Sequence, residues 1–309
     1  MKLSKMIASF VFPQGVLWGH RYLKRKFKRS FFYQAFNPTK TSILRKNGIF
    51  ENIHNGERCF ILGTDTSIEH TNVKLLTKEK KIFLSQFFLH EDYNNLNPEY
   101  HLFNSLGGHP YLDRKAILEH YKQIDEMIKP NTSLFFRYAL DYDFIKKHNL
   151  FKNKKVYYID YTSSMPYLLK DGLDATKYFY HPQGCLLAGL QLALFMGFKE
   201  IYLVGCGYPT LNPIKKYHFY DRSKSTIDHI TEQVYIKMME ENKNKTEVEI
   251  FLDKNKFSER YKQNKIFISV FESYWTVKKY AELKGIKIYN SNKYGLIDIF
   301  PYKDFESLF

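Results

Sequence analysis

The first fifty residues of this chain contain no aspartate or glutamate, although they hold eleven lysines and arginines. The formal net charge is +15, so the residues after position 50 carry 15 − 11 = +4. Six of the eleven cations lie in RYLKRKFKRSFF (21–32), interleaved with large apolar side chains. Cations beside apolar groups suit an anionic bilayer, where each contributes about 1 kcal/mol. We interpret residues 1–50 as a basic amphipathic leader that contacts an anionic membrane surface.

Two other interpretations of the leader are a contact with nucleic acid and a helix docked on the domain. Nucleic acid is disfavoured as a partner because the basic stripe is confined to one terminus of a near-neutral body. A basic helix that docks on the domain with its lysines in water stays open.

Cysteine is scarce, and long apolar runs are missing. The three cysteines (Cys59, Cys185 and Cys206) show no CxxC or Cys/His spacing, which excludes a disulfide framework or a zinc motif and favours a reduced compartment. No stretch of about 18 apolar residues is present, so no membrane span is predicted. P-loop and G-x-S-x-G motifs are also missing. We therefore expect a cytoplasmic protein, peripheral on the inner face of the cytoplasmic membrane.

From residue 56 onward, short β-like runs alternate with longer helical patterns. The predicted strands are 58–63, 81–88, 133–138, 155–161, 200–208, 265–271 and 286–290, and the main predicted helices are 113–128, 183–197, 225–241 and 272–284. This alternation favours a mostly parallel sheet with helices on both faces. We predict a single Rossmann-like α/β domain over 51–309. The region 208–265, whose end is highly charged, is interpreted as a surface insertion or lid.

The stretch RCFILGTDTSIE (58–69) has the form of a buried strand that ends in a glycine turn. Such a turn commonly opens a nucleotide-binding α/β domain. It carries Asp65, however, which is an anion where a phosphate cradle would disfavour one. A structural Asx turn and a contact with sugar hydroxyls are both open for this residue.

The most informative segment is YFYHPQGCLLAGLQLALFMGFKEIYLVGCGY (178–208). A helix that is apolar nearly all round follows Gln183 and Gly184, and a strand follows Gly197. The start of such a buried helix presents unpaired N–H groups, which favour a phosphate. Ordinary helix capping in an α/β protein is the structural alternative.

Three blocks, FILGTDTSI (60–68), FLSQFFLHEDY (83–93) and 181–208, resemble successive blocks of the bacterial family-42 sialyltransferases and their MptE-like relatives. The relatives include surface-polysaccharide glycosyltransferases and archaeal hydroxymethylpterin pyrophosphokinases. The resemblance covers about residues 57–300 with gaps and excludes the leader. At the first turn the family reads G-N-G-P-S-L, so that Gly63 and Ser67 match while residues 64–66 differ. The resemblance implies a GT-A-variant fold.

The resemblance also implies a donor site for a CMP-linked sugar. The residues that it places against the nucleotide or the donor sugar are Gly63, Thr64, Asp65, Ser67, Ser85, Gln86, Asn104, Gln183 and Gly184. In the family, two tyrosines after the strand at 200–206 hydrogen-bond the departing phosphate. By resemblance Tyr208, Tyr217 and Tyr220 are the candidates here, since fixed O–H donors stabilise the charge that develops in the transition state.

Transfer to a hydroxyl also needs a general base. The family uses a histidine before its last helix, but this chain has FISVFESYW there. The remaining candidates are His218, Asp221, His229 and Glu272. We predict His218, because it lies between two of the candidate tyrosines. Asp221 and Glu272 are the alternatives.

The DYD triplet at 141–143 matches the D-x-D spelling that holds Mg²⁺ or Mn²⁺ in another glycosyltransferase class. Here it precedes a helical pattern, so Asp141 or Asp143 is interpreted as a helix cap. No metal site and no cofactor other than the nucleotide-sugar donor is predicted.

The expected activity is inverting, metal-independent transfer of a CMP-activated, sialic-acid-like nonulosonate to a surface glycan acceptor. A pterin-type pyrophosphokinase would need ATP, Mg²⁺ and more clustered carboxylates. A non-catalytic nucleotide-binding module is the third reading, which the altered glycine turn keeps open. Assembly as a homo-oligomer is compatible with the sequence.

Overall fold

The computed structural model describes residues 37–103, 113–165, 169, 172–181, 184–207, 218–228, 257–292 and 297–309. The strands there are β1 (Arg58–Leu62), β2 (Lys80–Leu84), β3 (Tyr100–Leu102), β4 (Ser133–Arg137), β5 (Lys155–Ile159), β6 (Tyr161–Ser164), β7 (Phe179–His181), β8 (Glu200–Val204) and β9 (Lys287–Asn290). The α-helices are α1 (Pro38–Arg45), α2 (Arg114–Met127), α3 (Tyr138–His148), α4 (Cys185–Phe195) and α5 (Phe257–Leu283). Short 3₁₀ helices lie at Lys46–Phe50, Thr66–His70, Val73–Lys78, Ser85–Leu89, Arg222–Lys224 and Glu306–Leu308.

Seven strands form one sheet in the order β5-β4-β3-β2-β1-β8-β9, and all neighbours in it are parallel. The chain proceeds outward from β1 to β5 and then returns to β8 on the other side of β1. The strand order therefore reverses between β1 and β8, where open α/β sheets bind ligands beyond the carboxyl ends of their strands. The predicted Rossmann-like α/β class with a mostly parallel sheet is confirmed.

The two faces of the sheet are both covered. In β1, Cys59 and Ile61 face one hydrophobic cluster, whereas Phe60 and Leu62 face the other. Helices α4 and α5 pack in the first cluster, and α2 and α3 pack in the second. Every residue from 186 to 195 in α4 is buried, as the all-round apolar pattern predicts. A strand buried on both faces needs apolar residues at each buried position, which explains the continuous apolar run CFIL at 59–62.

The predicted strand at 265–271 is wrong, because these residues belong to α5. Its β-branched and aromatic residues favour a strand locally, but the burial of the segment follows a helical period. Ile268 and Phe271 are exposed, while the buried positions of α5 recur at helical spacing (Val270, Ser273, Tyr274, Thr276, Val277 and Ala281). None of the helices within the described ranges is long and apolar enough to cross a membrane.

Residues 38–50, which the charge pattern predicts as part of the basic leader, pack against the sheet. The side-chain amide of Asn47 donates to the carbonyls of Tyr158 and Ala175, both at 2.8 Å, and Phe50 is 4% exposed. Lys40 forms an ion pair with the buried Asp160. Residues 38–50 therefore belong to the folded body that the structure describes.

Candidate active site

Two glycines lie where the neighbouring strands β1 and β8 end, at the point where the strand order reverses. Gly63 N donates to the carbonyl of Val204 at 2.9 Å, and a Cβ on Gly63 would overlap the carbonyl oxygen of Gly205. Gly205 has φ +61°, and a side chain there would overlap Ile68. Gly63 is therefore required because the two strand ends approach so closely, rather than because it contacts a ligand directly.

Asp65 has a structural role in the turn. Its Oδ1 accepts from the backbone N–H of Ser67 at 3.0 Å, and its own N–H donates to Gly205 at 2.9 Å. Its carboxylate also lies against Gly207, where a Cβ would overlap it. The residue thus caps the 3₁₀ helix at Thr66–His70 as an Asx turn. An anion tied into the turn in this way is compatible with a ligand bound nearby.

The turn also meets His218, which is 154 positions away in sequence. His218 Nδ1 lies 3.0 Å from Thr64 Oγ1 and 3.3 Å from the Thr64 carbonyl oxygen. The backbone N–H of Phe219 donates to the same carbonyl at 3.2 Å. When Nδ1 carries the proton, both Thr64 oxygens can accept it, and the lone pair then lies on Nε2. That tautomer is the one a general base requires.

The segment that carries His218 is anchored at two further points. The imidazole stacks on Tyr220 with ring centroids 5.0 Å apart and planes 3° from parallel, and the Tyr220 hydroxyl donates to Asp228 at 2.8 Å. On α2, Gln123 donates to the carbonyl of Lys224 at 2.7 Å and accepts from Thr226. Tyr220 is 5% exposed. Its contacts therefore support His218 and do not aim its O–H group at a departing phosphate.

The end of β2 is held by a buried histidine. Ser85 has φ +51°, which is uncommon for a residue with a side chain, and its carbonyl accepts from His101 Nε2 at 2.7 Å. Tyr93 donates its hydroxyl to His101 Nδ1 at 2.8 Å. Burial lowers the pKa of His101 to about 3, so the ring is neutral at pH 7. This network fixes the backbone at which Ser85 and the half-buried Gln86 leave the strand.

Helix α4 begins above the ends of β2 and β3. Its N-cap is Gly184, and a Cβ built there would meet open space. The thiol of Cys185 lies 3.4 Å from the carbonyl of Leu102 and interacts with Ser85. The side-chain amide of Gln191 bonds both backbone groups of Tyr180. Its oxygen accepts from the Tyr180 N–H at 2.8 Å, and its nitrogen donates to the Tyr180 carbonyl at 3.0 Å. The first N–H groups of α4 have no intrahelical acceptor, and they lie at the edge of the sheet where β2 and β3 end.

The two cysteines at this edge are not nucleophiles at neutral pH. Burial raises the pKa of Cys185 to about 11. Burial, together with the nearby charge of Asp65, also raises the pKa of Cys206. A thiolate is the reactive form of cysteine, so both groups act as packing here.

The structure brings together eight of the predicted site residues at the carboxyl edge of the sheet: Gly63, Thr64, Asp65, Ser67, Ser85, Gln86, Gly184 and His218. Tyr220 stacks on His218 and so supports this group. Asp221 is exposed, and its carboxylate accepts from the backbone and hydroxyl of Ser223. Glu272 lies on the exposed side of α5. Tyr208, Tyr217, Asn104, Gln183 and His229 fall outside the described residues.

The DYD triplet lies inside helix α3, so the interpretation of Asp141 or Asp143 as the N-cap is wrong: the N-cap is Arg137. Helix α3 begins at Tyr138, and Asp141 Oδ2 accepts from the backbone N–H of Arg137 at 2.9 Å. Asp141 Oδ1 accepts from the hydroxyl of Tyr121 at 2.7 Å. Within the described part of the chain, no group of three or more His, Cys, Asp or Glu residues is placed to hold a metal ion.

Sequence reasoning missed three residues that shape the site. Gly205 lies in the quoted motif VGCGY, and its glycine after a strand was a usable signal. His101 carries no such signal, since a histidine within a three-residue strand has no recognisable pattern. Asp228 follows Tyr220 by eight positions, but nothing local links the two residues.

No protein-family model and no curated protein sequence matches the chain. Among solved structures, the sialyltransferase CstII from Campylobacter jejuni in complex with CMP shares 15% identity, covering 80% of this chain and 85% of that one, with a TM-score of 0.41. Its complex with CMP-3FNeuAc gives 14% identity, 80% and 86% coverage, and a TM-score of 0.42. A complex with a trisaccharide acceptor and CMP shares 14% identity, covering 80% of this chain and 85% of that one, with a TM-score of 0.39. A likeness this distant does not assign a function, which has to be argued from the chain's own residues.

Proposed function

We propose that this protein is a glycosyltransferase that moves a sugar from a nucleotide donor to a glycan hydroxyl. The observation that carries the proposal is the placement of His218 beside Thr64, at the carboxyl edge of the sheet where the strand order reverses. A histidine held by its Nδ1 at a ligand-binding crevice is suited to deprotonate an incoming hydroxyl. The blocks that resemble family-42 sialyltransferases favour a CMP-linked, sialic-acid-like sugar as the donor.

The donor in this proposal lies across the ends of β1 and β2, below the start of α4. The helix N-terminus offers N–H groups and the positive end of its dipole to the phosphate. The hydroxyl of Ser67 supports a ligand at this place, because it is buried and has no hydrogen-bond partner among the described residues. A buried hydroxyl without a partner is costly, and a ribose or phosphate oxygen would satisfy it.

The reaction in this proposal is one inverting displacement that needs no metal. The acceptor oxygen attacks the anomeric carbon, the bond to the phosphate breaks, and CMP leaves with the electron pair. His218 takes the acceptor proton. The α4 terminus stabilises the charge on the leaving phosphate, as do Tyr208 and Tyr217 if the family's pattern holds for these two residues.

The direct test is a thermal-shift series with CMP, CDP, UDP, GDP and ATP plus Mg²⁺. A ligand at 100 times its Kd stabilises the folded state by about 2.7 kcal/mol, which raises the melting temperature measurably. We expect CMP to give the largest shift. Stabilisation by ATP with Mg²⁺ alone would point to a pyrophosphokinase, and stabilisation by none of the five would contradict the proposal.

Two glycine variants test where the nucleotide binds. Gly184→Val places a side chain in open space at the start of α4, so it should weaken CMP binding by roughly tenfold or more, or about 1.4 kcal/mol. Its cost to folding should stay at or below about 1 kcal/mol. Gly63→Ala is the contrasting variant, because its Cβ overlaps Gly205 and should destabilise the fold by about 1–3 kcal/mol. Calorimetric titration with CMP and denaturant unfolding measure the two effects, and unaltered CMP binding by Gly184→Val would move the site elsewhere.

We also propose that the basic leader binds an anionic membrane. Because residues 38–50 belong to the folded body, the informative truncation removes residues 1–36. The shortened chain should keep its melting temperature but no longer sediment with phosphatidylserine vesicles. Binding by the full chain should weaken as salt rises, because salt screens the attraction. Equal sedimentation of both forms would contradict a role for the leader.

A further inference from the structure

A cleft of about 490 Å³ opens beside the candidate active site. Three segments line it, at residues 68–74, 89–92 and 219–224. Its volume falls in the range of roughly 300–1,000 Å³ that small-molecule sites occupy. None of the residues that line it was a predicted site residue except Tyr220.

Phe219 forms an apolar wall of this cleft and is held by other rings. Its centroid lies 5.5 Å from Phe87 and 5.1 Å from His90, at interplanar angles of 62° and 61°. His90 in turn stacks on Phe87 at 5.2 Å, with planes 4° apart, and its Nδ1 accepts from the backbone N–H of Asp92 at 3.1 Å. Phe219 itself is only half-buried. The cleft therefore contains a fixed aromatic surface that remains partly open to solvent.

The charged groups of the cleft include more carboxylates than cations. Three carboxylates (Glu69, Glu91 and Asp92) and two lysines line it, for a net charge of 2 − 3 = −1. Lys74 forms an ion pair with Asp92 at 3.8 Å. Burial lowers the pKa of His90, so this ring adds no positive charge at neutral pH. A lining of this charge disfavours a nucleotide or phosphate.

A neutral sugar matches both features of the lining. A pyranose ring has a face of C–H groups that packs on an aromatic ring and a rim of hydroxyls that donate to carboxylates. The position also fits an acceptor site, because His218 directly precedes Phe219 and both are tied to Thr64. The proposed base and the aromatic wall are consecutive residues of one anchored segment.

We propose that this cleft binds the acceptor glycan as a neutral sugar chain, with a sugar ring packed on Phe219 and its hydroxyls on the carboxylates of the cleft. The role of the bound sugar as an acceptor rests on the proposed function, but the binding of a sugar to the cleft is measurable without a nucleotide. Phe219 is then a residue that determines acceptor specificity.

The test uses saturation-transfer NMR on the full chain with lactose, maltose and N,N′-diacetylchitobiose, without nucleotide. At least one of these disaccharides should receive saturation. Phe219→Leu keeps an apolar side chain but loses the ring face, so it should reduce that signal at least severalfold. Glu91→Gln, at an exposed position, should also reduce the signal and keep the melting temperature. Trp275→Leu removes an exposed aromatic residue of α5 and is the matched control, which should change nothing.

Each result has a definite meaning. A lack of saturation for all three disaccharides overturns the proposal, as does a signal that both cleft variants retain. Displacement of the sugar by inorganic phosphate would show an anion site and overturn it as well. CMP binding, measured on the same samples, reports separately on the donor site. A chain that binds CMP but no disaccharide would contradict only the proposal for the cleft. A chain that binds a disaccharide but no nucleotide would contradict the proposed function.

Discussion

His218→Ala should lower sugar transfer by about 10²–10⁴-fold, the range that a general base typically contributes. The expected loss is specific to the chemical step, because His218 lies beside the turn that ends β1 and would act on the acceptor proton. Affinity for CMP should therefore change little. The loss should shrink at high pH, where the acceptor hydroxyl ionises more readily without help. Product formation against pH, with a CMP-sugar donor, measures this effect.

Variants of Thr64 separate the base from the group that orients it. Thr64→Val removes the hydroxyl 3.0 Å from His218 Nδ1 but keeps the shape of the side chain, whereas Thr64→Ser keeps the hydroxyl. We expect Thr64→Val to lower turnover and Thr64→Ser to restore most of it. His70→Ala changes an exposed histidine and serves as the control. Full turnover in His218→Ala, with loss in Asp221→Asn or Glu272→Gln, would assign the base to a carboxylate.

Acidification from pH 7.5 to pH 5 should cost the folded state roughly 4 kcal/mol through two buried histidines. Burial lowers the pKa of His101 to about 3 and that of His120 to about 4. The ordinary value for histidine is about 6.5 in an unfolded chain. Below that value the unfolded chain takes up protons that the folded chain does not, so stability falls as the pH falls. Each group contributes about 2 kcal/mol at pH 5.

His120→Leu isolates half of this effect. The side chain of His120 is 2% exposed, and its Nδ1 has no hydrogen-bond partner in the described part of the chain. An apolar replacement therefore removes the cost of burying that nitrogen. Urea unfolding at pH 7.5 and pH 5 should show an acid loss about 2 kcal/mol smaller in this variant than in the unaltered chain. His70→Gln should show no such difference. An identical acid loss in His120→Leu would mean that His120 has the same pKa in the folded and the unfolded chain.

Much of the frame of the site was predictable from sequence because its signals are local. A short local pattern is enough to recognise the strand RCFIL, its glycine turn and the all-apolar helix α4. In each case the pattern is a run of buried residues that ends at a glycine, within about a dozen positions. Parallel strands place their carboxyl ends at one edge, and the structure places Thr64 and Ser85 just beyond the ends of the neighbouring strands β1 and β2. The wrong strand at 265–271 shows where this reasoning fails, since residue propensity and burial period disagree there.

The sequence by itself determined the fold class, the edge of the sheet that carries the candidate site, and the residue types available there. Only the tertiary structure decided what those residues do. It brought His218 to Thr64 across 154 positions, tied Asp65 into the turn and directed the hydroxyl of Tyr220 to Asp228. It also placed His101 beneath Ser85. The physical reason is that strands and helices arise from local periodicity, whereas hydrogen bonds between distant side chains depend on packing that no local pattern encodes.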